Sequence, residues 1–109
     1  MSLGKERIMS KDVKVLFWAD PVWNLQVTLG KCLPTKEEIK RDYIELPIPI
    51  NRTNLDSIFA LLNGSRNPLL NIQGWVSKHQ LHTSMSVGDI VRLGENDMYI
   101  STNLGWKKL

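Results

Sequence analysis

Two apolar runs near the C-terminus, Ser86 to Leu93 and Met98 to Thr102, are joined by Gly94-Glu95-Asn96-Asp97, and that arrangement leaves few folds open. Ile90, Val91, Tyr99 and Ile100 are strand formers, and the connection between the runs is built from turn residues. The pattern predicts a β-hairpin. Leu104-Gly105-Trp106 then turns the chain, and Lys107-Lys108-Leu109 follows.

Upstream the same period of two recurs. Val13, Val15 and Phe17 alternate with Lys14, Leu16 and Trp18. Asp20-Pro21 signals a turn, and Trp23, Leu25, Val27 and Leu29 alternate with neutral polar residues. A second hairpin, stopped at Gly30 and Pro34, is the simplest reading. Tyr43 to Ile48 alternates again, but Pro47 and Pro49 lack amide donors, so this strand belongs at a sheet edge or stops near Leu46.

Helix signals are fewer. Thr35-Lys36-Glu37-Glu38 fits a capping box and predicts a short helical turn or a charged loop. The clearest helix has Thr53 or Asn54 as its N-cap. Leu55, Ile58, Phe59 and Leu62 fall at i, i+3, i+4 and i+7, one apolar stripe, and Asn63-Gly64 predicts a left-handed stop. From Ser65 to His82 the chain is punctuated by Gly, Asn, Ser and Pro and reads as a long, partly packed loop.

With 109 residues the chain holds one core. The expected fold is therefore α+β: a small single domain over 1–109, a mainly antiparallel sheet of about five strands, with one principal helix, Asn54–Leu62, packed on it. Residues 1–11 are polar and expected to fray. No apolar run suits a signal peptide or spans a bilayer, so a cytoplasmic location is the expectation, and no membrane partner is. The lone Cys32 has no disulfide partner and reads as a small boundary thiol.

The segment 41–109 as a whole resembles a group of small uncharacterised proteins of phages, plasmids and bacterial genomes. The residues that carry the likeness are Thr83-Ser84-Met85-Ser86-Val87-Gly88-Asp89-Ile90-Val91, the Tyr99 strand and Leu104-Gly105-Trp106. That group usually has Arg where Thr83 stands. The resemblance implies a small α+β domain of mobile-element origin and implies no activity, cofactor or catalytic residue.

The residues themselves argue against chemistry. His82, Ser84, Ser86 and Asp89 invite a triad reading, but side chains so close along one strand alternate faces and are not expected to converge. Asp89 is better read as a turn residue that bonds backbone amides. His79 and His82 lack a third metal ligand nearby, and no phosphate-binding or dinucleotide motif is present. No catalytic, metal or cofactor residue is therefore assigned.

Binding remains. Trp75 follows Gly74 beside Lys78 and His79, and Lys107-Lys108 end the chain. An aromatic beside cations can anchor a protein partner or stack on a base, and clustered lysines suit phosphates. Trp75, Lys78, His79, Lys107 and Lys108 are the candidate contact residues, weighed against a plain core role for Trp75. With a formal charge of only +3, any nucleic-acid binding is expected to be weak. The leading reading is a non-catalytic intracellular binding or accessory protein of mobile-element type. The alternative is a small enzyme or host-defence inhibitor with its site on the 65–82 loop.

Overall fold

The computed structural model describes residues 12–109; the stretch 1–11, expected to fray, lies outside them. β1 (Val13–Trp18) is an interior strand, second in order, of a five-stranded antiparallel sheet. Its partners are β2 (Tyr43–Glu45) on one side and β3 (Ile90–Leu93) on the other. β4 (Asp97–Thr102) and β5 (Gly105–Lys108) extend the sheet beyond β3, giving the order β2-β1-β3-β4-β5. The C-terminal hairpin predicted from the alternation is β3–β4. Gly94, at φ 75°, takes the left-handed place in its turn. β2 sits at the sheet edge and ends before Leu46, as Pro47 requires.

Strand alternation divides the core in two. Val13, Val15, Phe17 and Val91 point to one face and pack with Ile58, Leu62, Leu69 and Val76. Ile90 and Ile100 point to the other and pack with Trp23, Val27, Ile39 and Tyr43. Helices therefore cover both faces of the sheet.

On the first face lies α3 (Leu55–Asn63), the longest helix. Asn54 caps it by accepting the Ser57 amide at 3.1 Å. Ile58 and Leu62 are fully buried, each contributing about 1.5–3 kcal/mol. Phe59, expected in the core, instead stands at the rim, 40% exposed, with its ring edge-on to Trp106. Gly64 ends the helix in extended backbone (φ −102°) where a left-handed residue was expected. The Asn63 side chain supplies the stop by donating to the Phe59 carbonyl at 2.8 Å.

The 65–82 segment is more ordered than a loop. Pro68–Asn71 forms a 3-10 turn and α4 occupies Gln73–Lys78. Buried Asn67 organises it: its amide donates to the Leu62 and Thr83 carbonyls, and its oxygen accepts from the Leu69 amide. Leu69 and Val76 then enter the core.

The second face corrects the reading of residues 23–29. They form a helix, α1 (Val22–Thr28), and not a strand. Asp20 accepts the Val22 amide at 2.9 Å and starts the turn, and Pro21 is compatible with a helix entry. Trp23 and Val27, at i and i+4, are the buried pair, while Leu25 and Leu29 face outward. α2 (Lys36–Asp42) follows with the expected capping box complete: Thr35 and Glu38 each bond the other's amide.

Candidate functional site

Residues 82–89 converge where the sequence said they would not. The segment between α4 and β3 is a turn, so its side chains are free of strand alternation. His82 Nε2 lies 2.7 Å from Asp89 Oδ2, and the Ser86 hydroxyl is 3.4 Å from the same oxygen. The His82 ring stacks on Phe17 at 4.4 Å and on Trp18 at 4.1 Å between centroids.

The donor set shows what the cluster does. The wholly buried Asp89 carboxylate accepts the Trp18 amide at 3.0 Å through Oδ1 and the Ser86 amide at 2.8 Å through Oδ2. Burial pushes its carboxyl up in pKa, opposed by His82 and by the Ser86 and Trp18 amides. The loop carbonyls are also held. Val87 accepts from Trp18 Nε1 and Asn24 Nδ2, and Gly88 accepts from the Tyr43 hydroxyl at 2.6 Å. Burial, then the Asp89 charge, push the Tyr43 phenol up. A Cβ at Gly88, where φ is +98°, would stand 3.0 Å from the Trp23 carbonyl oxygen and 3.1 Å from Trp18 Cδ1. The Ser-Val-Gly-Asp motif thus ties β1, α1 and β2 to the start of β3.

As catalytic machinery it is miswired. The Ser86 hydroxyl bonds Asp89 and not His82, and His82 Nδ1 is buried with no partner. A nucleophile needs its hydrogen bond to the base, with the base oriented by the acid.

The candidate contact residues fall into separate places. Trp75 is half-buried against the first-face core, and its ring faces His79 at 4.3 Å. His79 Nδ1 lies 2.9 Å from the Trp75 carbonyl, and Lys78 is exposed at the end of α4. On β5, Lys107 and Lys108 point to opposite faces. Lys108 pairs with Asp97 at 3.3 Å, while Lys107 has no carboxylate within 4 Å among the described residues.

What the sequence missed surrounds the β4–β5 turn. Thr102, Asn103, Leu104 and Gly105 form that turn, with Gly105 at φ +107°. Leu104 at its tip is 99% exposed. A cleft of about 630 Å³ separates the turn from the Val27–Leu33 stretch and is lined by Leu29, Leu33, Leu104, Lys31 and Lys107 among others. Asn103 spans it, donating to the Thr28 carbonyl at 2.8 Å. A second cleft of about 610 Å³ lies across the turn, with Phe59 and Trp106 in its wall. Exposed Leu29, just past the end of α1, carried a signal for this surface, hidden by its strand-like spacing.

Among the described residues, no group of three or more His, Cys, Asp or Glu is placed to hold a metal ion, and no helix is long and apolar enough to cross a membrane.

No family model matches the chain, and no solved structure does. An uncharacterised protein of Acanthamoeba polyphaga mimivirus is 42% identical over 57 residues, which cover 50% of this chain and 52% of the viral protein. The chain spans about half the length of the curated relative it matches.

Proposed function

We propose that this chain is a non-catalytic protein-binding module, an accessory protein of mobile-element type, whose contact surface surrounds the β4–β5 turn. The observation that carries the reading is Leu104, fully exposed between two clefts whose walls hold Leu29 on one side and Phe59 with Trp106 on the other. Large apolar side chains gathered around one exposed turn mark contact sites on folded surfaces. Of the residues gathered here, Trp106 is of the type that most often carries the energy of a protein interface.

Nucleic acid finds less support. The Trp75 ring is already faced by His79, and Lys108 by Asp97, so neither is free to stack or to neutralise phosphate without rearrangement. A site on 65–82 finds less support too, because that segment spends Leu69 and Val76 on the core, with Ile72, Trp75 and Leu81 packed against it.

A photo-crosslinking residue placed at Leu104 tests the reading in the native host. A discrete crosslinked protein is expected, absent when the same probe replaces Glu95 in the exposed turn between β3 and β4. Leu104→Ser is expected to remove that partner while leaving the urea midpoint unchanged. Identical products from both probe positions, or none from either, overturn the reading.

A further inference from the structure

The two clefts beside the β4–β5 turn differ in charge. The Phe59–Trp106 cleft carries Asp56 in its wall. Among the described residues, the cleft between Gly30 and the turn is lined by no carboxylate, and its charged lining residues are Lys31 and Lys107. Neither lysine has an acidic partner within 4 Å among the described residues, although Lys14, Arg41 and Lys108 each do. Between them lie Leu29 and Leu104, 56% and 99% exposed, with Leu33 half-buried at the floor. Apolar anchoring points are thus bracketed by two ammonium groups whose counter-charges are missing.

We propose that this cleft docks an acidic peptide segment of a partner protein, with apolar side chains seated against Leu29, Leu33 and Leu104 and carboxylates on Lys31 and Lys107. The inference rests on the binding-module reading and adds the partner's chemistry. Complementary charge across an interface selects the partner and speeds its encounter. A second copy of this chain is the wrong occupant, because its own turn would bring Lys107 against Lys31 and Lys107 and leave like charges facing.

β5 is placed to help. It is the last strand of the sheet, and the Leu109 amide bonds the Met98 carbonyl at 2.9 Å. Antiparallel alternation then turns the main-chain groups of Trp106 and Lys108 outward, unpaired by β4. An extended acidic segment can bond that edge while its alternate side chains reach the Lys107 face. Lysines on the same edge disfavour pairing with a basic strand.

The test is selection from a random peptide library on the intact folded chain, followed by amide chemical-shift mapping of the enriched peptides. Peptides combining Asp or Glu with Leu or Phe are expected, with shifts confined to residues 27–33 and 102–109. The double variant Lys31→Glu/Lys107→Glu, checked for an unchanged fold, should bind them about tenfold more weakly. Panned afresh, it should select basic peptides instead. Enriched peptides without acidic bias, an affinity indifferent to the double reversal, or a library that yields no binder would each overturn the acidic-peptide assignment. A footprint on Asp56 and Phe59 would overturn it too while leaving the module reading intact, since that reading falls only on the Leu104 crosslinking.

Discussion

His82 Nε2 stands 2.7 Å from Asp89 Oδ2, and the imidazole is held there by the rings of Phe17 and Trp18. The pair closes a knot in which a single carboxylate accepts from β1, from the loop and from the histidine. Asp89→Ala leaves those buried donors without an acceptor. The expected loss is about 3 kcal/mol or more, because an orphaned buried donor costs about 1–3 kcal/mol. Urea unfolding measures it; a loss under about 1 kcal/mol would mean water readily replaces the carboxylate.

Gly88 and Gly105 both sit at positive φ, but only Gly88 is crowded. Gly88→Ala must push against the Trp23 backbone as well as bear the torsional strain, whereas Gly105→Ala meets open space and bears the strain alone. The first is expected to cost clearly more than the second, which should cost about 1–2 kcal/mol. Equal thermal shifts for the two variants would show that the Trp18–Trp23 packing yields freely.

In α3 the contrast lies between neighbours. Ile58 is fully buried and Phe59 is 40% exposed. Ile58→Ala should cost about 2–5 kcal/mol, and Phe59→Ala about 1 kcal/mol through its edge contact with Trp106. Denaturation midpoints in which Phe59→Ala is the more damaging would place the helix in a different rotation about its axis.

Asp42 governs part of the acid response. It accepts two hydrogen bonds from Arg41 and one from Trp23 Nε1, each at 2.8 Å. Arg41 first and Trp23 second hold its carboxyl down from 3.8 to about 2. A depressed folded pKa stabilises the fold fully above the unfolded value, and that contribution is lost as pH falls from 3.8 through about 2. Asp42→Asn should therefore flatten the stability profile across that window and leave it unchanged in shape at neutral pH. Stability measured against pH for both proteins checks this, and parallel acid limbs would contradict it.

The local signals that were legible in the sequence have local causes. The Thr35 capping box, the Asn54 cap and the β3–β4 turn depend on residues a few positions apart, and each appears in the fold. The misread stretch, Trp23 to Leu29, shows the limit. Its two buried residues are spaced for a helix, but two exposed leucines fill the alternate positions and imitate a strand. Periodicity reports burial only where apolar residues are buried, and outward-facing leucines break that link. The convergence of His82, Ser86 and Asp89 was hidden for another reason. It depends on Phe17 and Trp18, more than sixty positions upstream, packing over a turn that spacing alone makes look like a strand.

The pairing of β1 with β3 also sets a timetable. Trp18 and Asp89 are 71 residues apart, and Asn24 and Tyr43 wait for the same loop. During synthesis at about 5–20 residues per second, the apolar face of β1 emerges several seconds before β3 exists to pair with it. Only β2 and the helices between can shelter it in the interval. The strand that organises the finished sheet is thus the one left longest without its partner on the ribosome, and chaperone demand should concentrate there.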